Sequence, residues 1–116
     1  MIQEAQLDAI GTVTLDASGN GSVVLRPGNA HESWTITSTV VRQLTTVVKI
    51  PVCQTFVGSS GVLGGQAVDT TYTGNNDSSD TLIEVNEGSF LTVVWTGGDV
   101  GSQASVSVRG TRRQRR

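Results

Sequence analysis

Apolar and polar residues alternate in several short stretches of the chain, and this period of two is typical of half-buried β-strands. The longest such stretch is Glu32–Arg42, in which Trp34, Ile36 and Val40 fall on one face. In Phe90–Thr96 the alternation places three large residues on the face that we expect to be core, namely Leu91, Val93 and Trp95. The pattern therefore predicts strands with one buried face and one exposed face.

Turn-forming residues between the alternating stretches predict that strands adjacent in sequence pair as hairpins. Asn20-Gly21 would connect Thr12–Leu15 to Ser22–Arg26, because type I′ turns prefer this residue pair. The turn Asn86–Ser89, with Gly88 available for a positive φ, would connect Thr81–Val85 to Phe90–Trp95. The glycine-rich segment after Trp95 predicts that Phe90–Thr96 also pairs with the last alternating stretch, Gln103–Arg109.

The remaining middle of the chain predicts strands of lower regularity. Pro51 restricts the stretch Thr46–Gln54 to a sheet edge or a bulge, because proline has no ladder donor. Gly58–Gly65 is expected to be a flexible surface loop, Val68–Tyr72 a short strand, and Gly74–Asp80 an acidic loop. The count of seven to eight strands predicts an all-β fold, a single antiparallel β-sandwich or jelly roll with flexible terminal arms.

A chain of 116 residues is long enough for one domain with a modest core. We expect an N-terminal leader or arm at 1–10, a β-sandwich domain at 11–110 and a basic tail at 111–116. Cys53 is the only cysteine, which excludes an intrachain disulfide, and its apolar neighbours predict a buried structural thiol. No stretch resembles a secretory signal or a membrane span, so synthesis in the cytoplasm and no membrane partner are expected.

The charges are distributed unevenly along the chain. The formal net charge is −2, but residues 1–108 carry three basic and ten acidic side chains, and the other five basic residues are arginines at the end. Four of them, Arg112, Arg113, Arg115 and Arg116, could form an arm that docks on an acidic surface or on nucleic acid, or they could belong to a disordered, solubilising tail. The anchoring arm is favoured, because the acidity of the rest of the chain argues against an accidental concentration of basic charge. The stretch lacks interleaved aromatic residues and a larger basic face, which argues against sequence-specific nucleic-acid binding.

The side chains that carry catalytic chemistry are sparse. His31 is the only histidine, no nucleophile–base set or phosphate-binding loop is present, and we expect no enzyme and no cofactor. The acidic loop offers oxygen ligands that suit calcium, but Asn, Asp and Ser also form turns with their own backbone, and the turn interpretation is favoured. The loop and its neighbour are retained as candidate contact residues: Tyr72, Asn75, Asn76, Asp77 and Asp80.

The C-terminal third resembles small virion structural proteins of tailed actinobacteriophages. The resemblance rests on T-Y-T-G-x-x-D-x-S-D-T at Thr71–Thr81 and on L-T-x-x-W-T-G-G-D-x-G at Leu91–Gly101, with Ala104 and Gly110 matching further on. Val100 stands where the relatives usually have proline. The resemblance implies a virion location and a role as a head or neck accessory protein bound to capsid or connector subunits.

The residues and the resemblance together favour a non-enzymatic phage structural protein. It would decorate or cement the head or the head–tail connector through β-edges and terminal arms, and homo-oligomers are expected because open edges invite pairing. The alternative is a tail-associated module that binds host-surface carbohydrate through Tyr72, Trp95 or the acidic loop. A buried Trp95 would remove the best stacking platform of that alternative.

Overall fold

A computed structural model describes residues 2–28, 31–43, 49–58, 66–73 and 76–115. For residues 2, 66–73, 76, 77 and 115 it describes the backbone only. Over these ranges the chain forms nine β-strands and no helix. The strands are β1 (Ile2–Thr14), β2 (Gly21–Leu25), β3 (Glu32–Gln43), β4 (Val52–Gly58), β5 (Gln66–Thr73), β6 (Asn76–Ser79), β7 (Ile83–Val85), β8 (Phe90–Thr96) and β9 (Gln103–Arg115).

The strands form two antiparallel sheets. The first sheet has the order β1-β9-β3, with β6 and β7 both pairing along the far side of β3, and the second has the order β2-β8-β4-β5. Because β6 and β7 share one position beside β3, the nine strands fill eight places. Consecutive strands repeatedly change sheet, which is the double Greek-key arrangement of a jelly roll. The predicted all-β sandwich or jelly roll is confirmed.

The predicted hairpin pairings are wrong. β1 pairs with β9 and β2 pairs with β8, so the segments flanking Asn20-Gly21 lie in different sheets. The segments flanking Asn86–Ser89 likewise separate, since β7 pairs with β3 whereas β8 pairs with β2 and β4. The turn itself forms, with Gly88 at a φ of 81°. The physical reason is that a turn signal indicates where a strand ends but not which sheet the next strand joins, and in a jelly roll most connections cross between the two sheets. The sequence neighbours β4 and β5 do pair.

The core lies between the two sheets and contains the predicted face of β8. Leu91, Val93 and Trp95 are fully buried, and so is Cys53 in β4, as predicted. The other members are mainly aliphatic residues of β3, β7 and β9: Ile36, Val41, Ile83, Val85, Ala104, Val106 and Val108. Pro51 precedes β4, which is an interior strand of the second sheet, so the predicted edge position is wrong. The alternative prediction, a bulge within Thr46–Gln54, agrees with the shift of register against β5 between Cys53 and Gln54.

A β-bulge in β3 changes which of its residues face the core. The register with β9 shifts between Ile36 and Ser38. Trp34 and Ile36 are buried as predicted, but beyond the bulge the buried residues are Thr39 and Val41 instead of Val40. A single extra residue inverts the alternation, because side chains in a strand point to opposite faces with a period of two.

The two chain ends form paired strands where flexible arms were expected. β1 and β9 pair without a register shift from Ile2 opposite Arg115 to Thr14 opposite Gln103. Thirteen residues of strand span about 43 Å, which is most of the molecule's 49 Å length. This ladder pairs β1 along one side, and β9 is paired on both sides, with β1 and β3, so the end segments order despite their polar side chains.

The predicted segments of the middle fall partly outside the described residues. β5 confirms and extends the predicted short strand Val68–Tyr72. The expected acidic loop Gly74–Asp80 contains a strand, β6, and Gly74 itself lies outside the described residues. Gly58 ends β4, and the rest of the predicted loop Gly58–Gly65 is also outside the described residues.

Candidate assembly surfaces

The C-terminal arginines are held on the sheet. Arg112 and Arg113 are exposed residues of β9, and β9 ends at Arg115. Arg113 Nε lies 3.0 Å from Glu4 Oε1 of β1, with both side chains more than half exposed. The Arg115 side chain and Arg116 lie outside the described residues. The arginines that the structure describes are therefore presented at fixed places on a strand, which reduces the entropy that a partner must remove on binding.

Arg112 borders a shallow depression at the same end of the first sheet. Along the core-facing side of β1, buried Leu7 is followed by exposed Ala5 and Gln3, so the cover of the second sheet stops there. The depression has a volume of about 380 Å³ and is lined by Gln3, Glu4, Ala5, Glu32, Arg112 and Gln114. Its amide and charged groups suit polar contacts with an extended protein segment, since few apolar side chains are available.

Glu32 is the buried acid of this end. Its Oε2 accepts hydrogen bonds from the backbone N–H of Gly28 and from Nε1 of Trp34, both at 2.9 Å. Its side chain thus fixes the start of β3 and the ring of Trp34, which is itself buried. Glu32 therefore has a positioning role in the fold, and the exposed charged residues that line the depression are Arg112 and Glu4.

The solvent face of the first sheet contains an exposed apolar residue that the sequence interpretation missed. Ile10 of β1 is 70% exposed. It lies opposite Ser107 of β9, which lies opposite Val40 of β3, and the row borders an open depression of about 360 Å³. The alternation of Leu7, Ala9 and Val13 was the available signal, because it places β1 in a sheet and Ile10 on the opposite face.

The acidic candidate residues lie far from the arginines. In β6, Asn76 pairs with Arg42 and Asp77 with Val41, whereas Arg112 pairs with Trp34 near the other end of β3. Trp34 and Val41 are separated by about 23 Å of strand.

The structure describes the remaining candidate contact residues of the predicted acidic loop and its neighbour less fully. Asp80 is exposed between β6 and β7. Tyr72 pairs with Cys53 in the second sheet, and Asn75 lies outside the described residues. Among the described residues, no group of three or more His, Cys, Asp or Glu side chains converges as a metal site would require.

The segment Trp95–Asp99 connects the turns at the end of the molecule that lies opposite Arg112. Trp95 is fully buried, and the Gly97 N–H donates to Asn20 Oδ1 at 3.0 Å. The Gly98 N–H donates to the Gly19 carbonyl at 2.9 Å, and a side chain at Gly98 would collide with Leu15.

Asp99 extends these connections to the end of β3. Its carboxylate accepts from Gln43 Nε2 at 2.8 Å and from the Lys49 N–H at 3.0 Å. The W-T-G-G-D part of the sequence motif therefore has a structural explanation. It joins the end of β3, the β1–β2 turn and the β8–β9 turn.

Asp16 stabilises the same group of turns. Its Oδ1 accepts the backbone N–H groups of Ser18 at 2.8 Å and Asn20 at 3.0 Å. These bonds, with Asn20 the larger cause, lower the pKa of Asp16 from its ordinary value, because they favour the charged carboxylate. The turn is therefore held best when Asp16 is ionised.

The fold and these surfaces define a jelly-roll module in which, among the described strands, β1 pairs on one side only. No protein-family model matches the chain, and no curated protein matches it. A chain from the structure of Bacillus endospore appendages, described as a novel family of disulfide-linked pili, is similar with a TM-score of 0.54 and 20% identity. The similarity covers 98% of this chain and 89% of that one. At this identity the likeness establishes the fold.

Two chains from infectious bursal disease virus align over a smaller share of their own length. The Gx strain structure gives a TM-score of 0.43 at 15% identity, covering 99% of this chain and 38% of that one. The T=1 particle structure gives 0.36 at 18% identity, covering 91% and 31%. In the part of the chain that the structure describes, no helix is long and apolar enough to cross a membrane.

Proposed function

We propose that this chain is a non-enzymatic virion structural protein of a tailed phage, which decorates or cements the head or the head–tail connector. The observation that carries the proposal is a jelly roll whose longest edge, β1, pairs with no other described strand on its outer side, beside the arginine-bearing end of β9. An open strand edge is a template for pairing with another chain. A protein that works as a free monomer usually blunts such an edge, whereas a subunit of an assembly uses it.

Two further observations support a structural role. The resemblance of Thr71–Thr81 and Leu91–Gly101 to actinobacteriophage virion proteins supports the phage setting. The similar fold of the Bacillus appendage chain, from a structure described as pili, supports the use of this architecture as an assembly subunit. Its described disulfide linkage is a property of that protein, whereas the only cysteine of this chain, Cys53, is fully buried.

The arginine end provides the partner contact in this proposal. Arg112 and Arg113 are exposed on a fixed strand, so an acidic capsid or connector surface would meet positioned guanidinium groups. Charge pairing of this kind weakens as salt rises, since exposed charges are screened. The carbohydrate-binding alternative lacks support from Trp95, which is buried and offers no stacking surface.

Localisation on the particle tests the proposal directly. Purified virions should contain the chain in many copies, and cryo-electron microscopy should place it at the head or neck. Density at the tail tip only, or absence of the chain from purified virions, would contradict the proposed role.

Substitution of the exposed arginine tests the contact. An Arg112→Gln variant should be incorporated less than the wild type, with the difference shrinking at high salt. Arg42→Gln is the matched control, because it removes the same charge from an exposed position at the opposite end of β3. Equal incorporation of both variants would reject the arginine end as the docking contact.

A further inference from the structure

The edge strand β1 lacks several of the features that usually prevent strands from pairing with other chains, and its protective charges are Glu4 and Asp8. It is thirteen residues long, contains no proline or lysine, and keeps a continuous register with β9. Natural edges are commonly short, bulged, or protected by lysine or proline. Within the described residues β1 pairs on one side only.

The other described edges are poorer templates. β2 has five residues, and the edge position beside β3 is divided between β6 with four and β7 with three. β5 has eight residues, but its register with β4 shifts twice. A head-to-tail contact between β1 and the β6–β7 edge of another copy would therefore be interrupted after about one short strand. A contact between two β1 strands has no such interruption.

We infer that β1 pairs antiparallel with β1 of a second copy about a twofold axis at Ile10, joining the two first sheets into one. This inference deepens the proposed assembly function, on which it rests, by naming the partner at the β1 edge. Antiparallel twofold pairing centred on Ile10 aligns residues 6–14 of each copy, and residue n of one lies opposite residue 20 − n of the other. The interface is self-complementary, as a closed dimer requires.

The side chains of β1 favour this centre over centres at Gln6, Asp8 and Ala9. With Ile10 at the axis, the two exposed isoleucines meet and remove apolar surface from water, and Asp8 lies opposite the Thr12 hydroxyl of the partner. A centre at Asp8 would place two carboxylates directly opposite each other, which is destabilising. A centre at Gln6 would oppose Glu4 and Asp8 in both halves, and a centre at Ala9 would set Ile10 against Asp8.

The core-facing side of β1 is compatible with this register. Leu7 would lie opposite Val13 of the partner, and Ala9 opposite Gly11, so that apolar residues meet apolar or small ones. Gly11 already packs closely on the second sheet, since a Cβ there would collide with Val23 and come within 3.2 Å of Leu25. The pairing thus adds to the core side of the sandwich without introducing a charge.

Analytical ultracentrifugation of the full chain tests the dimer. The wild type is expected to show a monomer–dimer equilibrium. Ile10→Lys should weaken it by about tenfold or more, because it places two ammonium groups at the axis and removes both apolar contacts. The monomer of this variant should keep the unfolding midpoint of the wild type, since Ile10 is largely exposed. If the lysine variant folds poorly, Ile10→Thr replaces it in the same measurement. A wild type that stays monomeric, or forms a series of larger oligomers, overturns the inference.

Thr12→Lys is the matched variant, and it is expected to strengthen the dimer that Ile10→Lys weakens. It adds the same charge two residues along the same face, but opposite Asp8 of the partner, and should tighten the dimer severalfold at low salt. Equal weakening by both lysine variants would reject the register.

Cysteine cross-linking tests the axis. Ile10→Cys should form an intermolecular disulfide, because directly opposed residues in antiparallel strands have Cα atoms about 4.5–5.5 Å apart, within disulfide range. Thr12→Cys should not, because its copies would lie about 13 Å apart along the strands. Cys53 is fully buried and should not compete. Equal cross-linking at both positions contradicts the centre at Ile10.

The outcomes separate this inference from the proposed function. A monomer in solution that is still found in the virion would overturn β1 self-pairing and leave the virion role standing. A dimer that cross-links through Ile10→Cys but is absent from virions would leave the pairing standing and overturn the role.

Discussion

We predict that the protein becomes more stable when the side-chain hydroxyl of either of two buried threonines is removed. Thr39 in β3 and Thr55 in β4 are fully buried, and their Oγ1 atoms have no hydrogen-bond partner among the described residues. A buried hydroxyl without a partner costs about 1–3 kcal/mol of stability. Valine keeps the branched shape and the strand preference while replacing the hydroxyl with a methyl group. We therefore expect Thr39→Val and Thr55→Val each to raise the free energy of unfolding by about 1–2 kcal/mol.

Urea titration and thermal melting measure this difference. For a domain of this size, 1 kcal/mol corresponds to about 4 °C in the midpoint. Thr35→Val is the control on the same strand as Thr39, because the Thr35 hydroxyl has the Glu84 carboxylate as its partner at 3.2 and 3.3 Å. That substitution should bring no gain. If Thr39→Val and Thr55→Val both lower the midpoint or leave it unchanged, the reasoning from unpartnered hydroxyls is refuted.

Three further predictions concern the turns and the thiol. Gly98→Ala should lower the free energy of unfolding by about 1–3 kcal/mol, as urea titration can measure. The new methyl group would lie 2.7 Å from Leu15 Cδ1 and 2.8 Å from Gln43 Oε1. A neutral effect would show that the turns can separate. The lowered pKa of Asp16 means that its contribution is present above pH 4 or so and is lost as pH falls through the lowered value. Acid should therefore lower the melting midpoint of the wild type more than that of Asp16→Ala, and parallel acid profiles would argue against this. Cys53 should react with a thiol reagent only when the protein opens, as mass spectrometry can follow, whereas rapid native labelling would contradict its burial.

The faces of the strands could be predicted from the sequence, but their partners could not. The alternation in Phe90–Thr96 correctly identified Leu91, Val93 and Trp95 as core, because burial of apolar surface acts on each strand locally. Strand pairing depends on where the rest of the chain lies. In this fold Val85 and Phe90 are only a short turn apart, yet they belong to different sheets.

The exposed arginines of the candidate site could be predicted from the sequence, but the strand that holds them could not. Arg112 and Arg113 are exposed as expected, but they lie on a strand. The sequence pattern failed here because residues 3–6 of β1 and 112–114 of β9 have exposed side chains on both faces, so no apolar alternation marks these segments as strand. The backbone ladder between Ile2–Thr14 and Gln103–Arg115 supplies the order instead. Ile10 was missed because it was assigned to a leader, outside any strand.

The pairing of Ile2 with Arg115 also determines when the fold can be completed during synthesis. Of the nine strands, β1 is made before all the others, but the strand that pairs with it, β9, is made after them. Contacts between residues so far apart in sequence require closure of long loops, which slows folding. Until β9 arrives, both edges of β1 are open. The newly made chain therefore carries an unprotected strand until β9 has been made, and its yield should depend on how quickly the thirteen residues of β9 close the sheet.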